Sequence, residues 1–147
     1  MRLGRALLTS GLAIGLLPVL GADPAYACSC FAASDQKLYR QADVVFKGKV
    51  TRTQYPPNYD NDPNASPIIY TMSATRDYKG RVRPTMKVRT PGNEALCGVN
   101  LGRGPYIIFG ERDKNGRLTM NLCGGTRPFD RDDQPYFAPG TKVRQSA

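Results

Sequence analysis

The chain has 147 residues, with 21 Lys or Arg against 12 Asp or Glu (formal charge +9), four Cys, and neither His nor Trp. That length suits one compact domain, and the lack of His excludes Ser/His/Asp and Cys/His nucleophile pairs, His-ligated zinc sites and an imidazole base. Hydrophobic residues at 40% exclude a disordered chain, while 15 Gly and 12 Pro point to many turns and an all-β or β-rich domain.

Arg2 and Arg5 precede an uncharged apolar run from Ala6 to Leu20, followed by Gly21, Asp23, Pro24 and Ala25-Tyr26-Ala27. This is the pattern of a secretory signal peptide ending in A-x-A. The run is about fifteen residues, short of the roughly 20 that a bilayer-crossing helix needs, and Pro18 interrupts it. Residues 1–27 are therefore expected to be removed, leaving a secreted protein with no membrane span and Cys28 first. A bacterial lipoprotein signal also ends before a Cys, so the alternative is a lipid anchor at Cys28. That signal prefers Leu three residues earlier, where Ala25 stands.

Export would place Cys28, Cys30, Cys97 and Cys123 in an oxidising compartment, where an even count reads as two disulfides. A Cys28–Cys30 bridge would close a strained ring across Ser29. Each of the two is therefore expected to reach one of Cys97 and Cys123, in either pairing. A zinc site of all four is the alternative, but the C-x-C spacing differs from the paired C-x2-C of zinc ribbons.

The stretch SDQKLYRQAD from Ser34 predicts a two-turn helix, capped by Ser34 or Asp35 and with Leu38 facing Gln41 or Ala42. Asp43 to Thr53 alternates as a half-buried strand with Val44, Phe46, Gly48 and Val50 on one face, Gly48 marking a bulge or bend. Tyr55 to Pro67 is a Pro-, Asn- and Asp-rich connection that contains the sequon Asn64-Ala65-Ser66. Strands follow at Ile68–Tyr78 and Thr85–Thr90. After the connection around Cys97 come a strand at Tyr106–Phe109, a turn at Asp113-Lys114-Asn115-Gly116, and a fifth strand in which Leu118, Met120 and Leu122 alternate into Cys123. Five strands with a leading helix suggest a Greek-key barrel of the OB type. The domain is expected to span 28–138, with 139–147 a flexible tail.

Several of these segments carry a resemblance. Cys28-Ser29-Cys30, Ala42-Asp43-Val44-Val45, Tyr70-Thr71-Met72 through Tyr78-Lys79-Gly80, Leu96-Cys97-Gly98-Val99, Tyr106 to Gly110, and Leu118 to Cys123 with Pro128-Phe129 follow a family order. The chain resembles the N-terminal inhibitory domain of the tissue inhibitors of metalloproteinases, within the netrin-like superfamily. The resemblance implies a netrin-type OB barrel, a Cys28–Cys97 and a Cys30–Cys123 bridge, a monomer without cofactors, and a zinc metalloendopeptidase as partner. It implies that Cys28 binds the target's zinc in trans through its α-amine and carbonyl oxygen. Ser29 would enter the main specificity pocket, Cys30, Phe31 and Ala32 would continue along the cleft, and Glu94, Ala95 and Leu96, beside Cys97, would fill its other half. The chain departs from the family in lacking its third N-terminal disulfide and its Cys-rich C-terminal subdomain, and in having Phe31 and Ala32 where small or branched residues and Pro are usual.

Two plainer readings stand beside this one. Cys28 and Cys30 could simply pin the N-terminus, with Glu94 to Leu96 an ordinary loop. Arg76, Lys79, Arg81, Arg83, Lys87 and Arg89 could form a basic face for anionic surface polymers; secretion argues against nucleic acid. No enzyme is expected, since Asp132 and Asp133 sit in a polar tail and no buried carboxylate pair is visible.

Overall fold

The computed structural model describes residues 28–57, 59, 67–130 and 140–144. The expected signal peptide and the sequon at 64–66 lie outside them. The first element is the short helix α1 (Asp35–Gln41). Ser34 caps it, its Oγ accepting the Lys37 N–H at 3.3 Å and satisfying an amide that a helix start leaves unpaired. No helix among the described residues is long and apolar enough to cross a membrane.

The strands are β1 (Val44–Gln54), β2 (Ile68–Lys79), β3 (Thr85–Thr90), β4 (Pro105–Arg112) and β5 (Leu118–Thr119). They run in the order β1-β2-β3-β5-β4, and β4 pairs back onto β1, so the five close into a barrel of the OB type. The pairs are antiparallel except β3–β5, which meet in parallel at Arg89 and Thr119. The register of β1 against β2 shifts between Lys47 and Gly48, the expected irregularity. A Cβ at Gly48 would lie 2.9 Å from the Ser73 carbonyl oxygen and against the Phe46 ring.

Two additional two-residue strands extend the sheet. β6 (Arg127–Pro128) shares the edge of β4 with β5. β7 (Thr141–Lys142), within the segment expected as a flexible tail, pairs with Arg76 and Asp77 of β2, and Asp77 Oδ1 accepts the Thr141 N–H at 3.1 Å. The fifth strand is shorter than its alternation suggested. Leu118 and Met120 are buried, but Leu122 is 47% exposed and opens a 3₁₀ turn (Leu122–Gly124). Asn121 causes the break, because its side chain takes the Cys123 N–H and offers the backbone an alternative to the ladder.

The core has two parts. Val44, Phe46, Tyr70, Met72, Val88 and Ile108 fill the barrel. Ala42, Val45, Tyr78, Ile107 and Phe109 form a second cluster outside it, roofed by Leu38 and Tyr39 of α1 and by Phe129. Hence Val44, Val45 and Phe46 are consecutively buried, where alternation alone had put only one face inside. Burial of each such side chain stabilises by about 1.5–3 kcal/mol. α1 is also held by polar contacts: Tyr39 Oη donates to the Tyr78 carbonyl at 2.8 Å, Lys79 Nζ donates to the carbonyls of Tyr39 and Arg40, and Asp35 pairs with Arg127 at 2.7 Å.

A polar pair ties the barrel to the segment after β3. Buried Tyr70 Oη donates to the Val99 carbonyl at 3.2 Å and accepts the Leu101 N–H at 3.1 Å, while buried Thr90 Oγ1 accepts the Val99 N–H at 2.8 Å. Tyr70→Phe strands a buried donor and acceptor and should cost about 1–3 kcal/mol in urea unfolding. Burial also pushes the Tyr70 hydroxyl above its ordinary 10.0, the Leu101 hydrogen bond opposing it only in part, and burial raises Tyr78 as well. A raised folded-state pKa means stability intact below pH 10.0 and lost as pH climbs through the folded value. Unfolding free energy should therefore fall above that pH, and fall less steeply in Tyr70→Phe.

Candidate functional site

Two turns of the same design hold the distal cysteines. In the first, a 3₁₀ turn (Glu94–Leu96), Asn93 Oδ1 accepts the Leu96 N–H at 2.9 Å, the Cys97 N–H bonds to the Glu94 carbonyl at 3.0 Å, and the Gly98 N–H to the Asn93 carbonyl at 2.8 Å. In the second, Asn121 Oδ1 accepts the Cys123 N–H at 2.9 Å, and Gly125 closes the turn at φ 94°. Asn suits both places because its short carboxamide bonds locally to backbone N–H groups. The turns are joined directly, Leu122 N–H donating to the Cys97 carbonyl at 2.8 Å. Cys97 itself sits at φ 64°, the only described non-glycine residue with positive φ, a strained backbone that persists where its surroundings over-determine it.

The extended N-terminal segment is stapled across these turns. Cys28 is bridged to Cys97 (Cα–Cα 5.3 Å) and Cys30 to Cys123 (Cα–Cα 5.1 Å), the pairing that the resemblance implied. The bridges adjoin, with Cys28 Sγ 3.6 Å from Cys123 Sγ. No cysteine is free, so the sulfurs clustered at this point are spent in disulfides and offer no thiolate to a zinc ion. The four-cysteine zinc alternative falls on that ground.

The bridges thus bring Cys28, Ser29, Cys30, Phe31 and Ala32 together with Glu94, Ala95, Leu96 and Cys97 on one edge of the barrel. Ser29, Cys30, Ala32, Glu94 and Ala95 are exposed. Phe31 is 96% and Leu96 42% exposed, and Leu122 joins them, one peptide bond from the second bridge. Three of the four large exposed apolar side chains among the described residues, Tyr55 being the other, therefore flank the bridges. Apolar surface is thus left open to water beside both bridges. Sequence reading missed Leu122 because period-two alternation carried it into the fifth strand. The usable signal was Asn121 ahead of Cys123 and Gly124-Gly125 behind it.

The basic residues separate. Lys79 serves α1, and Arg76 reaches toward the Gly140 carbonyl beside β7. Arg81, Arg83, Lys87 and Arg89 line one groove, joined there by Arg112 and Arg117, which no local pattern connects to β3.

A family model described as tissue inhibitor of metalloproteinase matches residues 26–133. Metalloproteinase inhibitor 2 of Homo sapiens is 31% identical over 135 residues, covering 87% of this chain and 61% of that protein. The protein of that name from Cavia porcellus is 32% identical over 81% of this chain and 57% of its own. The tissue inhibitor of metalloproteinase of Drosophila melanogaster is 30% identical over 74% of this chain and 49% of its own. The chain thus spans 61% or less of the length of these relatives.

The geometry of the edge depends on Gly98. A Cβ there would collide with the Pro91 carbonyl oxygen and approach that of Asn93 to 2.6 Å, neither of which can yield without opening the turn. Gly98→Ala should cost about 1–3 kcal/mol in urea unfolding. At Gly104 the nearest atom lies 3.9 Å away, so Gly104→Ala should stay within about 0.5 kcal/mol of the parent.

Proposed function

Because the chain belongs to the tissue inhibitor of metalloproteinase family, we propose that it is a secreted inhibitor of zinc metalloendopeptidases that acts through Cys28. The reading rests on one observation, the doubly bridged, exposed edge on which Cys28 to Ala32 lie beside Glu94 to Leu96.

A catalytic zinc keeps one coordination position for water. Cleavage behind Ala27 would free the α-amine of Cys28, which together with the Cys28 carbonyl oxygen can close a five-membered chelate on that zinc. An α-amine has a pKa of about 7.7–8.0, so losing its proton at a metal near neutral pH costs little. The bridge to Cys97 holds both ligand atoms in place before the encounter, which lowers the ordering entropy lost on binding. Cys28 to Ala32 would then follow the cleft as a product strand, with Ser29 in the main specificity pocket and no scissile bond at the metal. Phe31, Leu96 and Leu122 would bury their exposed apolar surface against the cleft walls.

N-terminal sequencing of the exported protein should find Cys28 first and unmodified. Placing one Ala before Cys28, or selectively carbamylating its α-amine, removes a basic nitrogen from the metal's reach. Either change should abolish inhibition of any zinc endopeptidase that the parent inhibits while leaving both bridges and the urea midpoint unchanged. Undiminished inhibition would overturn the chelate. Leu122→Ala should weaken inhibition about tenfold through lost apolar burial, with a stability loss of no more than about 1 kcal/mol in urea unfolding because the side chain is already 47% exposed.

A further inference from the structure

The pairing of β3 with β5 is a single bridge, Arg89 with Thr119, so from Thr85 to Val88 the side of β3 away from β2 has no strand paired to it among the described residues. The direction of the main chain along that stretch is fixed at two points. The Pro84 carbonyl accepts the Ala74 N–H of β2, and the Arg89 carbonyl accepts the Met120 N–H on the opposite side. Main-chain groups alternate in direction along a strand, and the register of β2 with β3 is unbroken. The N–H and C=O of Thr85 and Lys87 therefore point, like those of Arg89, away from β2. They face an open groove of about 470 Å³, which Thr85, Lys87 and Arg89 line together with Arg112, Arg117 and Leu118 of the β4–β5 hairpin.

A row of strand amides without a neighbour is a template for a further strand. Added strands take their affinity from main-chain hydrogen bonds and their specificity from alternate side chains. We propose that this groove receives an extended peptide in which acidic and apolar residues alternate, laid as an added strand along Thr85 to Lys87. The side chains of Lys87 and Arg89 leave the sheet on the face opposite to buried Met86 and Val88, about 6.6 Å apart, the period at which every second residue of an incoming strand recurs on that face. Arg81 and Arg83 continue the positive charge ahead of β3, and Arg112 and Arg117 supply it from the hairpin. Arg117 is paired with Asp113 at 2.7 Å, whereas Arg81, Arg83, Lys87 and Arg89 form no ion pair among the described residues. The intervening residues of the added strand turn the other way, toward Met86 and Leu118, the apolar part of the lining. Charge complementarity thus sets the acidic positions, and the open main chain favours a polypeptide: a polyanion without amides of its own meets the cations but cannot continue the ladder. The groove runs along β3, and the bridged edge at Cys28 lies beyond that strand's end, so the proposal does not rest on protease inhibition.

The test is binding of the full exported chain to a capped, fluorescently labelled peptide of about nine alternating Glu and Val residues, read by anisotropy at about 0.15 M salt, where long-range charge effects are largely screened. Two further peptides keep the same charge but are N-methylated, one at every Glu and the other at every Val, so that each lacks the amide donors of one side of the strand. The peptide methylated on the side that meets β3 should bind at least about tenfold more weakly, and the other within about threefold of the unmethylated form. Equal binding by all three would show that charge alone is read, as by any polyanion, and would overturn the added strand, as would equal losses in both methylated forms. Absence of binding by the unmethylated peptide would overturn the proposal outright. The variant R81Q/R83Q/K87Q loses three groove cations at exposed positions and should bind the unmethylated peptide at least about tenfold more weakly. The variant K37Q/K49Q/R52Q removes the same charge from exposed positions outside the groove and should bind within about threefold of the parent. Both should keep the parent's urea midpoint. Equal losses in the two variants, or an unchanged R81Q/R83Q/K87Q, would overturn the site. The form with Ala before Cys28 should bind the peptide like the parent, so failure of the inhibitor reading would leave this result standing, and the converse holds as well.

Discussion

The pair of disulfides at one end of the barrel is the constraint on which the exposed edge depends. Residues 28–34 form no helix or strand of their own, and α1, which follows them, has no fully buried side chain. Burial alone would leave such a segment among many conformations. Bridges with sequence separations of 69 and 93 residues remove that freedom, each worth roughly 4 kcal/mol in the chain-entropy view. Set against the 5–15 kcal/mol that holds a typical domain together, they account for a large share. The two Asn-capped turns are the other half of the arrangement, because they hold Cys97 and Cys123 so close that their bridges touch.

The barrel supplies the rigid side of this junction. Its interior is apolar apart from a few hydroxyls, and those hydroxyls are spent on the segment that leads out of the first turn. Tyr70 and Thr90 together bind both backbone groups of Val99 and the N–H of Leu101. Buried polar groups must be paired, and each pairing excludes alternative positions for the backbone it engages. The connector after Cys97 is thereby docked onto the barrel wall. Position is passed from the packed core through Tyr70 to the connector, then through Cys97 to Cys28, without any long-range electrostatic contribution.

Charge is distributed on a different plan. The bridged edge is mainly apolar and uncharged, Glu94 excepted, while much of the positive charge lies along β3 and the β4–β5 hairpin. An apolar edge favours a desolvated cleft, where contacts are insensitive to salt. A basic groove acts at longer range and weakens with ionic strength. Because the groove lies along β3 and the bridged edge beyond that strand's end, with no residue in common, the two surfaces can be altered separately. Lys79, which sequence reading grouped with the basic face, shows how a cation can be absorbed by architecture instead: its ammonium group satisfies carbonyls at the end of α1 and contributes nothing to the groove.

Local chemistry was enough to find α1 with its Ser34 cap, the bounds of β3, the irregularity at Gly48 and the Asn115-Gly116 turn, because each depends on residues within a few positions of one another. The same holds for the limit on cysteine pairing, since a bridge across Ser29 is excluded by geometry alone. Spacing left two pairings open, and the resemblance chose between them. What local pattern could not supply was anything set by contact between distant segments. Val45 is buried because α1 lies over it, Leu122 is exposed because Asn121 diverts the strand, and residues 141–142 are paired because Asp77 receives them. Arg112 and Arg117 belong with Arg89 only because β3 and β5 run side by side. Composition and periodicity describe one segment's preference for water or for its own backbone. Closing five strands into a barrel decides which segments share a face, and both the edge at Cys28 and the groove along β3 are products of that closure.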